Sequence, residues 1–431
     1  MRKLHIINVL LCTLAVSMSG CSEKTEPDNN SELNNVVHDT SAVTESVTDQ
    51  NTENTPVQTS SVSSLSEDSS VTVTEHQKIE KLTLGPTNSG AITEDGTLYM
   101  WGDGDKYKLG NGDFSMARTP LKIMDNVDEL YCGENSGAAI TRDGSLYMWG
   151  SIPPFPKQEI ALYKNLRFPE KIMDNVKYAS LGISHAAVIK NDNSLYMWGP
   201  SSYGQLGNGI NDIYEYPDTP LKIMDNVRCV SLGRQFSTAV TFDGSLYTWG
   251  RNKWGQLGNG KSGEDEFEAE PVKIMDNVQY ACTFDSHSAA ITEDGSLYMW
   301  GDNSFGQIGN GKSGEDEFEA EPVKIMDNVK YVSTGCGHSA AITEDGSLYM
   351  WGWNLFGQLG NGEHGVGVQS DVPVKIMDNV KSVSLGNGHS GALTEDGELY
   401  MWGNNAFNNI VDVKGDNGNV YVPTRIDITG N

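Results

Sequence analysis

Four histidines in this chain, His185, His287, His338 and His389, each stand thirteen residues before a tryptophan. Imidazoles at one recurrent spacing could share a metal ion or relay protons. Carboxylates recur too, in "EDG" turns and in two copies of "KSGEDEFEAE". Such acids could hold calcium or serve as the acid and base of glycoside hydrolysis. Cys132, Cys229, Cys282 and Cys336 could ligate a soft metal or form disulfides. Each of these chemistries needs unlike groups converging on one place, and the pattern points away from that. In three other copies the histidine position holds Asn88, Ser136 and Phe236. The chain contains no D-x-[DN]-x-[DN]-G loop, CxxC pair, G-x-S-x-G, H-E-x-x-H or phosphate-cradling glycine loop. The favoured readings are hydrogen-bonded structural histidines, a solvated acidic rim and buried free thiols. A Cys282–Cys336 disulfide is the alternative for the thiols. No enzymatic activity, metal or cofactor is expected.

What positions these groups is a repeat. Trp-Gly pairs begin at Trp101, Trp149, Trp198, Trp249, Trp300, Trp351 and Trp402, at separations of 48, 49 and then 51 residues four times. A period near fifty marks a solenoid, a propeller or an array. The unit "PVKIMDNVKYVSTGCGHSAAITEDGSLYMWGWNLFGQLGNG" (Pro322–Gly362) holds four strand-like stretches: Val323–Met326, Tyr331–Thr334, Ser339–Thr343 and Ser347–Trp351. "TEDGS" supplies a hairpin turn, and no helical apolar period of useful length occurs. Four antiparallel strands repeated seven times predict an all-β, seven-bladed β-propeller, in which each blade covers its neighbour. The first unit starts at "KIEKLTLG" without a preceding "PVKIMDNV", and the chain ends in "VPTRIDI" (Val422–Ile428). The C-terminal strand is therefore expected to close the ring by pairing with the first unit. The repeated Trp should pack between blades, and "GQLGNG" should form a tight turn.

"WGxNxxGQLGNG", as in Trp249–Gly260, with "GHSAAITEDGSLYMWG" upstream, resembles the RCC1-type repeat, named for a regulator of chromosome condensation. The resemblance covers about residues 77–431 and implies a seven-bladed propeller without calcium. Guanine-nucleotide exchange, the activity of the family's namesake, is an expectation that the rest of the sequence disfavours. The formal charge is −28, with no basic run after residue 3, which argues against a nucleic-acid or anionic-membrane surface. The first residues place the chain outside the cytosol. "MRKLHIINVLLCTLAVSMSGC" has two early positive charges, an apolar core and then small residues before Cys21. Met18-Ser19-Gly20-Cys21 resembles the lipobox of bacterial lipoproteins, with Met18 in place of the usual Leu. Residues 1–20 are then a signal peptide and Cys21 the lipidated anchor, facing outside. Residues 21–76, rich in Ser, Thr, Asn and Glu, read as a disordered acidic tether carrying a head at 77–431.

Function is expected where the copies disagree. After the early glycine stand pairs such as Glu134-Asn135, Ile183-Ser184, Arg234-Gln235 and Asp285-Ser286. After Trp-Gly stand Asp103, Ser151, Pro200, Arg251, Asp302, Trp353 and Asn404, followed by long loops of unlike sequence. Tyr214, Tyr216, Arg251, Phe267, Phe318 and Trp353 are the partner-binding candidates on this composite surface. Neutral drift in solvated loops is the competing explanation. The expected role is a surface-anchored, non-enzymatic binding module for a protein or cell-wall component. An inhibitor of β-lactamases or penicillin-binding proteins, sharing the propeller fold, is the alternative.

Overall fold

The structure is a computed structural model and describes residues 78–153, 164–212, 217, 219–411 and 418–428. The expected leader, Cys21 and the tether lie outside the described residues, as do Tyr214 and Tyr216.

Seven four-stranded antiparallel sheets follow one another in chain order. The blades run from Ile79–Leu84 to Ala117–Met124, Val127–Cys132 to Lys164–Met173, Val176–Leu181 to Leu221–Met224 and Val227–Leu232 to Phe267–Met275. Then come Val278–Thr283 to Phe318–Met326, Val329–Thr334 to Gln369–Met377 and Val380–Leu385 to Val420–Ile426. Helix among the described residues is one 3-10 turn, Asp105–Tyr107. The second strand of each blade, such as His338–Thr343 (HSAAIT), is buried along nearly its whole length. It is covered on both faces by neighbouring blades, so it reads as a small apolar run and not as an alternating one. The "TEDGS" hairpins form as expected. In blade five Thr292 Oγ1 donates to Asp294 Oδ1 (2.6 Å), Ser296 N donates to the same oxygen (3.1 Å), and Gly295 supplies φ +78°.

The repeat unit is displaced by one strand from its sequence reading. The "PVKIM" run belongs to the blade before it, because Leu297 pairs with Met326 and Tyr298 with Lys324. After it, Asn328 at φ +59° steers the chain across to the next blade, where Val329 N donates to Gly295 O (2.9 Å). The chain's last strand, Val420–Ile426, likewise pairs with Leu399–Gly403 inside blade seven. The expected closure, by pairing that strand with the first unit, is therefore incorrect. The first unit already owns four strands.

Closure instead repeats the contact made at other blade interfaces. In a typical interface Trp351 Nε1 donates to Gln307 O (2.9 Å), and Ser339 Oγ donates to the same carbonyl (2.8 Å). Between blades seven and one, Trp101 Nε1 donates to Asn409 O (2.7 Å) and Ser89 Oγ donates to it as well (3.2 Å). All seven repeated tryptophans are fully buried, as the sequence predicts. The glycine after each one is required by its backbone. Gly352 sits at φ +99°, and a Cβ there would lie 2.5 Å from Gly337 O. Gly352→Ala should therefore cost about 2–3 kcal/mol in chemical denaturation, by strain and collision with main-chain atoms that cannot yield. A loss under about 0.5 kcal/mol would show that the backbone relaxes around the added methyl.

Candidate functional site

The two ends of the ring differ in kind. One carries the "TEDGS" hairpins and the crossovers to the next blade, which vary little. The other carries the turn between the inner and second strands and the loop between the third and outer strands. At that end two of the variable zones are tied into one surface. Arg251 N donates to Gln235 O (3.0 Å), Asp302 N to Ser286 O (3.0 Å) and Trp353 N to Gly337 O (2.8 Å). The tight loops beneath are held as expected by Asn and Gln. Asn303 Oδ1 accepts from Ile308 N (3.0 Å), and Gln307 Oε1 accepts from Phe305 N (2.8 Å).

The inner strands surround the axis, and tyrosines fill it. Tyr131 meets Tyr178 edge-on with centroids 5.4 Å apart, and Tyr280 stacks with Tyr331 at 5.9 Å. Tyr178 also feels Tyr331 from three blades away, a coupling that only the axis permits. Burial holds these phenols well above their usual range, with Tyr331 pushed up to about 12.

At the variable end one residue from each blade reaches the mouth of this axis: Pro86, Glu134, Ile183, Arg234, Asp285, Cys336 and Asn387. All seven differ in type, in a chain whose neighbouring columns repeat. Main-chain bonds link adjacent members, including Arg234 N to Asp285 O (3.3 Å) and Asn387 N to Pro86 O (3.2 Å). Leu181, Leu232 and Phe284 make the walls largely apolar. The mouth leaves a free volume of about 40 Å³, room for a few waters.

Its charges are unevenly matched. Arg234 Nη1 lies 3.5 Å from Asp285 Oδ1, and Ser286 Oγ donates to Asp285 Oδ2 (3.1 Å). Burial nevertheless pushes the Asp285 carboxyl up to about 6 against the pull of Arg234. Burial raises Asp302 nearby as well. Glu134, half-buried, has no ion-pair or hydrogen-bond partner among the described residues.

The other chemistry-bearing groups are dispersed. Each of the four histidines is buried in its own blade interface, where its Nε2 meets a serine of the next blade. The distances are His185–Ser237 3.1 Å, His287–Ser339 2.9 Å, His338–Ser390 3.1 Å and His389–Ser89 3.5 Å. Burial pushes them down to about 4, 3, 3 and 4 in chain order. Among the described residues no three His, Cys, Asp or Glu side chains gather as metal ligands would. Cys132, Cys229 and Cys282 are free, and burial raises Cys132 and Cys282 to about 12, far from a reactive thiolate. The Cys282–Cys336 pairing is thereby excluded. The free-thiol reading holds for Cys132, Cys229 and Cys282.

The binding candidates within the described residues fall on the variable end but outside the axial mouth. Arg251 is buried and held by its two terminal nitrogens: Nη1 donates to Gln235 Oε1 (2.9 Å), Nη2 donates to Glu264 Oε1 (3.0 Å), and the group lies over the Tyr203 ring. It braces the surface. Phe267 and Phe318 are half-buried and pair in their sheets opposite Arg251 and Asp302. Trp353 joins an aromatic group, with its ring centroid 5.3 Å from Phe305 and 5.5 Å from Phe356. Phe305 is 38% exposed. The sequence reading passed over the mouth residues Pro86, Phe284, Cys336 and Asn387. The available signal was a column in which no two copies agree.

The profile of the Regulator of chromosome condensation (RCC1) repeat matches residues 95–140, 192–240, 243–291, 294–342 and 345–393, over half of the chain. A second profile of the same repeat matches 227–256, 329–358 and 380–409. The Ultraviolet-B receptor UVR8 of Arabidopsis thaliana is 33% identical over 218 residues, which are 48% of each chain. The probable E3 ubiquitin-protein ligase HERC6 of Homo sapiens is 32% identical over 216 residues, 48% of this chain and 21% of that one. The chain thus spans about half or less of the length of these curated relatives. The crystal structure of human WBSCR16 superposes with a TM-score of 0.65 at 21% identity, over 76% of this chain and 93% of that one. At that identity it shows the fold.

Proposed function

The chain belongs to the family of RCC1 repeats, and from that premise we propose that it is a non-enzymatic binding module whose variable end receives a protein partner. The single observation that carries this reading is the segregation of sequence. Residues that repeat are spent on blade interfaces and on one end of the ring. Residues that differ converge on the other end, around the axis and the Phe305–Trp353–Phe356 group. Exposed aromatics beside fixed polar groups are what protein interfaces favour. The UVR8 relative, named as a receptor, is consistent with a recognition role. The ligase named in HERC6 belongs to a protein of which this chain spans 21%, and its activity is not part of the proposal. Export and lipid attachment at Cys21 are part of it, on the strength of the Met18–Cys21 sequence, and would present the propeller outside a bacterial membrane.

The test is retention of envelope proteins by the immobilised full chain, compared with a Trp353→Ala, Phe305→Ala double variant. A partner held by the parent should be lost at least tenfold in the variant. Retention of every partner at parental strength by the variant would move binding off this surface.

A further inference from the structure

We propose that the axial mouth is a socket for one lysine side chain of the protein partner. This rests on the reading of the variable end as a protein-binding surface and names its central contact. The first argument is size. A free volume of about 40 Å³ admits a slender side chain that displaces a few waters. The second is shape and polarity. The walls from Leu181, Ile183 and Leu232 are suited to a tetramethylene stem, because lysine packs its carbons on apolar surface while its head stays polar.

The third argument is charge. Arg234 and Asp285 form a pair across blades four and five, while the Glu134 carboxylate of blade two has no such partner among the described residues. An ammonium entering the mouth would supply the counter-charge that Glu134 lacks. It would also relieve Asp285, whose burial the Arg234 and Ser286 contacts do not offset. An anionic ligand would meet Glu134 and Asp285 inside a chain of formal charge −28. The same charge speeds the approach of a basic partner. Finally, only an off-centre ligand makes use of seven unlike residues about one axis. A single side chain, fixed by its partner's docking on Trp353 and Phe305, is such a ligand.

The experiment is calorimetric titration of the full chain with penta-lysine, with penta-lysine acetylated at every Nζ, and with chitotetraose. Glu134→Gln removes the unpaired charge. Ile183→Trp fills the cup without altering charge. Glu344→Gln removes a carboxylate from the hairpin end and controls for general attraction to an acidic protein. Far-UV circular dichroism and melting checks confirm that each variant is folded. Penta-lysine should bind, and Glu134→Gln and Ile183→Trp should each weaken it at least tenfold. Glu344→Gln should change it less than twofold, and the acetylated peptide should not bind. Equal weakening by all three variants would overturn the socket in favour of diffuse attraction. So would parental binding by both mouth variants, equal binding of the acetylated peptide, or chitotetraose binding that Ile183→Trp abolishes. A partner lost on Trp353→Ala but indifferent to Glu134→Gln and Ile183→Trp would overturn the socket alone and leave the binding surface standing.

Discussion

Lowering the pH from 7.5 to 5.0 should cost the propeller about 6 kcal/mol of stability, through four buried histidines. Each is locked as a neutral ring. Ser339 Oγ gives its proton to Gln307 O, so His287 must donate to Ser339 from Nε2. The same holds for His185 and His338, where Ser237 donates to Gln205 O and Ser390 to Gln358 O. A second proton would have to sit on Nδ1. In His185 and His338 that atom has no hydrogen-bond partner. Burial accordingly pushes the four rings down to about 3–4, whereas in the unfolded chain they titrate near 6.5. Between those values the unfolded state binds protons that the native state refuses. Stability is therefore complete above pH 6.5 and falls as the pH drops towards 4. At pH 5.0 each ring forfeits about 2 kcal/mol. Asp285, raised to about 6, works in the opposite sense and returns between about 1 and 2 kcal/mol. Denaturant titrations at the two pH values measure the difference. His287→Phe should reduce it by about 2 kcal/mol, since Phe236 already fills the equivalent place in blade four. Equal stability at both pH values would mean that the rings can be charged inside their interfaces.

Trp351→Ala should destabilise the propeller by about 4–5 kcal/mol, near the upper end for removal of a large core side chain. Trp351 has no exposed surface and lies across the interface between blades five and six, donating to Gln307 O at 2.9 Å. Gly309 lies so close to the indole that a Cβ there would be 2.7 Å from Nε1, so little can move in to fill the gap. The Gln307 carbonyl keeps Ser339 as a donor, which limits the polar part of the loss. Trp351→Phe, which retains most of the volume, should cost only about 1–2 kcal/mol. A thermal or denaturant series on the two variants separates packing from hydrogen bonding. Equal losses for both would assign the stability to the indole N–H instead.

The fold was legible because its causes are local and repeated. Seven Trp-Gly pairs at a near-constant spacing, strand-length apolar runs and Asp-Gly turns leave few architectures open. The position of the blade boundary was not legible. "PVKIM" and "NVKYV" are adjacent in sequence and look like one hairpin. The choice between pairing backward and pairing forward is made by Asn328 and by the long loop that returns Phe318–Met326 onto Leu297–Asp302. Histidine burial could be expected from the mixed occupants of that column, since Phe236 and His287 can replace each other only in a site that demands shape. The axial mouth was half legible. Its members lie about fifty residues apart and become neighbours only when the ring closes, so aromatic content drew the choice towards the loops. Arg251 shows the converse failure: a lone cation among variable residues reads as a contact, yet Gln235 and Glu264 already hold it.

The central claim is that recognition takes place at the variable end of the ring and not at the hairpin end. The most direct measurement replaces single residues of the full chain by a photoreactive phenylalanine analogue and irradiates it in envelope extract. Phe305 and Trp353 report on the variable end, and Phe242, 46% exposed in the blade-four hairpin, reports on the other. Cross-linking of one protein species from Phe305 and Trp353, with none from Phe242, is the expected result. The same species captured from Phe242 alone would contradict the claim and place the partner on the repeated end of the propeller.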